Sequence, residues 1–441
     1  MNSVSIGLCG LGTVATGVLQ VLARNADDIR RRAGCDLRVV HVGARSNRAG
    51  VDLSGVRVSQ DLFEVARDPQ VDVLVELIGG CDLAKELVLK AIGAGKHVVT
   101  ANKALIAEHG NEIFAAAARQ GVVVAFEAAV AGGIPVIKAL REGLVANRIE
   151  WLAGIINGTG NFILTEMREK GRAFDEVLAE AQALGYAEAD PTFDVEGIDA
   201  AHKLTIMASI AFGIPLQFSA VYTEGISAIT PMDVAYADEL GYRVKHLGVA
   251  RRTANGVELR VHPTLVPEQR LLANVNGVMN AVMISGDAVG PTLYYGAGAG
   301  GEPTASAVVA DLVDLVRVLE SDHRRRVPAL AFSPDSAGAT PVLPISEVQT
   351  PCYLRIHAVD RKGVLAKIAR ILSEHDISIE ALIQKEPAVL PDAGREVSVP
   401  IIMLTHQVVE AQLEAAMRAI ESLDEVLERV FRIRVEYLAT H

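Results

Sequence analysis

Two charged residues four apart, Asp199 and Lys203, interrupt an apolar stretch, "GIDAAHKLTIMASIAF", at 197–212. At that spacing they share one face of a helix. A lysine is seldom buried without a partner, and burial lowers its pKa. Such an amine can give or take a proton near neutral pH, with the carboxylate one turn earlier holding and orienting it. The same pair could instead be an exposed ion pair contributing about 0.3–0.5 kcal/mol; spacing alone leaves both open. His202, between them, points to another face and reads as structural. Glu188 stands in "LGYAEADPTFD", where Gly185 and Pro191 favour a turn. A carboxylate on such a loop can hold a substrate ammonium, or simply face water.

The amino-terminal end offers a second chemistry. "SVSIGLCG" reads as a buried strand running through Gly10 and Gly12 into a helix, and Gly10-x-Gly12-x-x-Ala15 matches G-x-G-x-x-G/A. Glycines there permit the tight turn and the close approach of a pyrophosphate, whose charge the helix N-terminus stabilises. A strand that ends in an acid would bond a ribose 2′-hydroxyl. Here the second strand ends "GARSNR", with Arg45 and Arg48 and no acid. Cations there suit a 2′-phosphate, so the expected cofactor is NADP, with NAD possible. Lys103, in "TANKAL", follows directly on a strand's carboxyl end, where ligands of such sheets gather. Asn102 beside it reads as a helix cap.

These residues need a frame. Strand-like runs at 3–10, 36–46, 71–79, 96–102 and 122–130 alternate with helical stretches, which predicts a Rossmann-type doubly wound parallel sheet over 1–134. One long helix is expected after Gly12, and another follows a glycine-rich loop at about 303–320. Residues 135–320 read as an α+β domain with a mixed or antiparallel sheet, with helices near 159–170, 174–184 and 195–212. A hairpin is expected around Asn255-Gly256 and a further strand pair at 277–296. Pro328, Pro334, Pro341 and Pro344 mark a linker over 321–350, and 351–441 reads β-α-β-β-α-β, a ferredoxin-like unit. The fold class is thus α/β with a small C-terminal module.

Composition excludes several classes. The 54 acidic against 42 basic residues leave a net charge of −12, which argues against nucleic acid. Four scattered cysteines show no C-x-x-C spacing, so neither a disulfide framework nor a zinc site is implied, and a reducing cytoplasm fits. No signal peptide precedes the first strand, and no apolar run reaches the ~18 residues of a membrane span.

"GLGTVATGV", "VVTANKALIA", "EAAVAGGIPVIKAL", "GIINGTGNFILTEM", "ALGYAEADPTFDVEGIDAAHKLTI" and "YGAGAGGEPTASAVVADL" follow the order of motifs in homoserine dehydrogenases. The chain resembles that family, in a monofunctional form whose tail, "DRKGVLAKIARILSEHDISIEALIQ", is similar to an ACT regulatory domain. The resemblance implies interconversion of L-homoserine and L-aspartate 4-semialdehyde with NAD(P). It implies Lys203 as general acid/base, Asp199 supporting it and contacting substrate, and Lys103 beside the reacting oxygen and the nicotinamide. It implies Glu188 and the Gly185 backbone at the substrate's amino-acid end. Leu11, Gly12, Thr13, Val14, Arg45, Lys103 and Gly300 would contact the cofactor. Glu127, Val130, Gly132 and Ile134 would hold a sodium ion, mostly through backbone oxygens. Ala15 stands where many members carry glycine, which the fingerprint allows. The resemblance also implies that 135–320 is the substrate-binding, catalytic and oligomerisation domain, that the helix at about 303–320 completes the nucleotide-binding domain, that an amino-acid effector such as threonine binds the ACT domain, and that the chain forms a homodimer or homotetramer. Two other readings stand beside this one: a prephenate- or 2-hydroxyacid-type dehydrogenase, which would need a catalytic histidine, and a cofactor-sensing regulator without turnover.

Overall fold

The computed structural model describes residues 3–46, 50–319, 326–333, 340–385 and 398–438. Arg48, Pro334 and much of the proline-rich linker lie outside the described residues.

Strands β1 (Ser3–Cys9), β2 (Asp36–Gly43), β3 (Arg57–Ser59), β4 (Val73–Glu76), β5 (His97–Thr100) and β6 (Val124–Ala125) form one parallel sheet, ordered β3-β2-β1-β4-β5-β6. The strand order reverses between β1 and β4, and in such sheets ligands bind beyond the carboxyl ends of the strands at that point. Helices cover both faces, so β4 is buried along its whole length. The helix expected after Gly12 breaks at Asn25 into Thr13–Arg24 and Ala26–Ala33. Helix Gly301–Val318 returns from far along the chain to pack on Thr13–Arg24. A Cβ on Gly17 would sit 2.6 Å from the Gly301 carbonyl, so only glycine permits that approach.

The strand expected over 122–130 is much shorter. The chain leaves the sheet after Ala125 and turns at Glu127–Ala129. Glu127 explains the turn: its amide donates to Asp311 at 2.8 Å, and its carboxylate accepts the amides of Ile137 and Lys138 at 2.9 and 2.8 Å. Strand β3 and the short helix Leu62–Arg67 carry too little pattern to be read from sequence.

The second sheet contains β7 (Ile149–Ile155), β8 (Tyr222–Thr223), β9 (Tyr242–Arg252), β10 (Val257–Pro267), β11 (Met279–Gly286) and β12 (Gly290–Ala297). Strands β9 and β10 pair from Arg252↔Val257 to Tyr242↔Pro267, the hairpin expected around Asn255-Gly256. Beyond it come β13 (Gln349–Thr350), β14 (Cys352–Val359), β15 (Ile379–Gln384), β16 (Ser398–Thr405), β17 (Val408–Val409) and β18 (Phe431–Val435). With helices Val364–Glu374 and Glu410–Glu421, strands β14, β15, β16 and β18 make the β-α-β-β-α-β module. Its sheet is continuous with the other: β18 pairs with β14 on one side and runs parallel to β10 on the other, through Thr264↔Arg434 and Leu265↔Val435. The whole order is β12-β11-β7-β9-β10-β18-β14-β16-β15, with β8 on β10.

Helix Ile198–Phe212 lies buried from Asp199 to its end, packed on β7, β9 and β10 and on helix Lys103–Gln120. It starts later than position 195 because Gly197, at φ 83°, separates it from the turn Thr192–Val195. Among the described residues no helix is long and apolar enough to cross a membrane, and all four cysteines are free.

Candidate active site

Asp199 is the hub. Its helix buries it, and three polar groups converge on its carboxylate. Lys203 Nζ, one turn on, donates to Oδ2 at 2.7 Å. Lys103 Nζ lies 3.0 Å from Oδ1. Asn157 Nδ2 donates to Oδ2 at 3.0 Å and to Asp194 Oδ1 at 2.7 Å. Lys203 also donates to the Ile156 carbonyl at 2.7 Å, which fixes its head group at the end of β7. Its side chain is only 11% exposed, against 35% for Lys103. Both charges of the sequence motif therefore work inward, and the exposed ion-pair reading fails.

The electrostatics separate the two lysines. Burial pulls the Lys203 pKa below the usual lysine value; Asp199 opposes this only in part, and the nearby Lys103 charge adds to it. Burial acts the same way on Lys103, but Asp199, Asp194 and Glu188 outweigh it and raise its pKa. Burial would raise the Asp199 carboxyl; the two ammonium groups overcome that and hold it well below the carboxylate range. Asp194 moves the other way, raised chiefly by burial. One anion, one cation whose charge its neighbours favour and one amine whose charge burial disfavours thus share a small volume.

Each group is set by local structure. Lys103 is the first residue of its helix, directly after β5. Asn102 caps that helix by accepting the Leu105 amide at 3.1 Å, and its side chain donates to the Gly80 carbonyl at 2.6 Å. Asn157 caps helix Gly158–Lys170 through the Gly160 amide at 2.8 Å, leaving its own NH2 for the two carboxylates. Sequence reasoning gives no role to Asn157 or Asp194. The "IINGTGN" run signals a cap, but nothing local says where the cap's amide points. His202 stacks between Phe193 and Phe218 and meets Glu108 at 3.1 Å, away from the hub.

Glu188 is exposed on its loop, and Gly185 precedes it at φ 75°. Thr159 ties the loop to the Asn157-capped helix by donating to the Tyr186 carbonyl at 2.6 Å. Glu188 is near enough for its charge to act on Lys103, but it makes no contact with Asp199 or Lys203 among the described residues.

Leu11, Gly12, Thr13 and Val14 lie at the carboxyl end of β1. Gly10, at φ 97°, has no room for a side chain, since a Cβ would fall 2.6 Å from the Leu77 carbonyl. At Gly12 a Cβ would meet nothing within 4 Å, so the space beside it is open. Gly300, at φ 124°, caps helix Gly301–Val318, and a Cβ on Gly301 would lie 3.1 Å from Thr13 Cγ2. Two helix N-termini therefore converge beside the glycine turn, a setting that favours an anion. Arg45 is exposed just past the end of β2. The loop after β4 is anchored by Glu76, which is buried and accepts the Thr100 hydroxyl at 2.5 Å and the Ile78 amide at 2.8 Å.

Glu127 uses both side-chain oxygens on backbone amides, as above. Among the described residues the carbonyls of Val130 and Gly132 accept no hydrogen bond, although both residues are buried. No cluster of three or more His, Cys, Asp or Glu residues suited to a metal occurs among the described residues.

Comparison with known proteins agrees with this architecture. Residues 135–313 match the homoserine dehydrogenase family, 10–127 the homoserine dehydrogenase NAD-binding domain and 353–425 the ACT domain. A homoserine dehydrogenase of Pseudomonas aeruginosa is 65% identical over 99% of this chain and 100% of its own. The crystal structure of a homoserine dehydrogenase from Thiobacillus denitrificans is 62% identical, with a TM-score of 0.94 and 99% of each chain covered. A hyperthermophilic archaeal homoserine dehydrogenase in complex with NADPH is 27% identical, with a TM-score of 0.60, covering 71% of this chain and 97% of that one. These matches set aside the histidine-dependent dehydrogenase and the regulator without turnover. The chain belongs to the homoserine dehydrogenases, an oxidoreductase family, and carries the ACT domain at its C-terminal end.

Proposed function

We propose that this chain interconverts L-homoserine and L-aspartate 4-semialdehyde, with Lys203 as the general acid/base. The observation that carries the reading is a buried amine of lowered pKa held by a carboxylate 2.7 Å away. A nicotinamide dinucleotide bound at the glycine turn supplies or takes up the hydride. In homoserine oxidation the Lys203 amine accepts the hydroxyl proton; in aldehyde reduction its ammonium returns one to the oxygen. Lys103 stays charged and adds positive potential where the oxygen carries negative charge. Asp199 orients both lysines and contacts substrate, while Glu188 and the Gly185 backbone receive the substrate's amino-acid end. The burial of Asp199 and Lys203 keeps water from the proton path.

The open space at Gly12 and the converging helix ends suit a dinucleotide's pyrophosphate, contacted by Leu11, Gly12, Thr13, Val14 and Gly300. Arg45 and the lack of an acid at the end of β2 favour NADP over NAD, and the archaeal relative's NADPH agrees. The unpartnered carbonyls of Val130 and Gly132, with the carbonyls of Glu127 and Ile134, have the hard oxygen chemistry of a sodium site. The ACT domain takes an amino-acid effector, most simply threonine. The enzyme works in the cytoplasm as a homodimer or homotetramer, for which β12 and β15 offer free sheet edges among the described residues. Steady-state homoserine oxidation with NAD and NADP separately, with and without threonine, tests the whole reading; no turnover with either cofactor would refute it.

A further inference from the structure

We infer that Glu224 is a positioning residue that couples the C-terminal module to Asp194 and Asp199, through the segment Tyr222–Asp233. The inference rests on the proton path proposed for Lys203 and Asp199.

The segment is anchored twice by the C-terminal module. Glu224 Oε2 accepts Arg434 Nη1 at 2.8 Å, Arg432 Nη2 at 3.3 Å and the Tyr222 hydroxyl at 2.7 Å. Both arginines come from β18, and Glu410 of the last helix holds them from behind, at 2.6 Å from Arg434. Nine residues on, Asp233 Oδ1 accepts the Tyr353 hydroxyl at 3.0 Å and Arg355 Nε at 2.8 Å, both from β14. Asp233 also closes the cap of helix Pro231–Glu239.

Between these anchors the segment grips the turn that leads into the Asp199 helix. The Ile226 amide donates to the Val195 carbonyl at 2.9 Å. Ser227 Oγ donates to Glu196 Oε1 at 2.9 Å, and Gly225 packs against the Glu196 carboxylate. Asp194 sits inside that turn, directly before the residues gripped.

A further link runs through the Glu224 backbone. Its carbonyl accepts His246 Nε2 at 3.0 Å. The His246 ring packs closely on Gly197, its Cε1 lying 3.1 Å from where a Cβ would be, while Gly160 lies beside it at ordinary spacing. Gly197 opens the helix that bears Asp199, and the Gly160 amide is the one capped by Asn157. A shift of β18 along β10 therefore moves Glu224, which bears on the Asp194 turn through its own segment and on the start of the Asp199 helix through His246 and Gly197. Close-packed interiors transmit such displacements rather than absorbing them.

Three variants test this. Glu224→Gln keeps the shape but weakens the arginine contacts; Arg432→Gln does so from the C-terminal side, and Arg432→Lys restores the charge. Each is measured for kcat and KM of homoserine oxidation, cofactor affinity and melting temperature. We expect kcat to fall about three- to thirtyfold in the two Gln variants. Cofactor affinity and melting temperature should stay near those of the parent, and Arg432→Lys should recover most of the loss. Unchanged kcat in folded Glu224→Gln would overturn the inference, as would kcat, both KM values and melting temperature shifting together. Should Glu224→Gln not fold, Arg432→Gln decides on the same criteria. Lys203→Met, assayed alongside, separates the two claims. Turnover retained there refutes the proton path and the coupling built on it, whereas an inactive Lys203→Met beside a normal Glu224→Gln refutes the coupling alone.

Discussion

Lys103 and Lys203 grip opposite oxygens of Asp199, Oδ1 at 3.0 Å and Oδ2 at 2.7 Å. Lys103 stands at the carboxyl end of the first sheet; Lys203 stands on a helix packed against the second. One carboxylate thus brings together the nucleotide-binding layer and the layer that carries the buried amine. The two lysines shift in opposite directions, the charge being favoured on Lys103 and disfavoured on Lys203.

That division predicts opposite pH limbs. In the proposed reaction oxidation needs neutral Lys203, whose pKa lies below the ordinary lysine value of 10.5. The kcat/KM for homoserine oxidation should rise with pH and level off before 10.5 is reached. Aldehyde reduction needs the ammonium and should decline over the same interval. Profiles measured in both directions check this; limbs of the same sign would contradict it.

The two glycines at 12 and 17 should fail differently. Gly12→Ala meets no protein atom within 4 Å, so the chain should melt normally while cofactor affinity, read by fluorescence titration, drops at least about tenfold. Gly17→Ala forces Thr13–Arg24 away from Gly301 and should destabilise by about 1–3 kcal/mol in urea unfolding. Equal effects on melting would undo the assignment of Gly12 to the ligand side.

Arg45→Ala should weaken NADP about five- to tenfold and leave NAD nearly unchanged, since only the former carries a 2′-phosphate. Parallel titrations with the two cofactors decide it, and an equal loss for both would remove Arg45 from 2′ recognition.

Lys245 gives stability a pH dependence of its own. It is buried and donates to the Val275 carbonyl at 2.6 Å and to Asn276 Oδ1 at 3.2 Å. Burial first, then Arg168 and Arg243, push its pKa from 10.5 down to about 7. Between those values the unfolded chain binds the extra proton, so stability gains with pH, at up to about 1.4 kcal/mol per unit from this group. Below about 7 both states are protonated and the contribution flattens. Urea unfolding of Lys245→Met across this range should lack that gain; an unaltered pH dependence would assign it elsewhere.

Much of the site is legible in the sequence because its parts are local. Asp199 and Lys203 are one helical turn apart, and the glycine fingerprint is contiguous. The helix start is misread because Gly197 takes a left-handed conformation that composition does not announce. Asn157 and Asp194 escape notice because they join the site only through tertiary approach. The short β6 reflects Glu127 meeting amides of Ile137 and Lys138, which no periodicity records. Least legible is the fusion of the two β-rich regions. Strands β10 and β18 are distant in sequence and share only the pairs at Thr264 and Leu265, so the amphipathic pattern of each looks complete alone.

In the proposed mechanism the Lys203 amine carries the proton. Lys203→Ala, assayed for homoserine oxidation beside a direct titration of cofactor binding, tests it most directly. Turnover should fall by on the order of a hundredfold or more while cofactor affinity stays close to that of the parent. Near-parental turnover in the folded variant would contradict it.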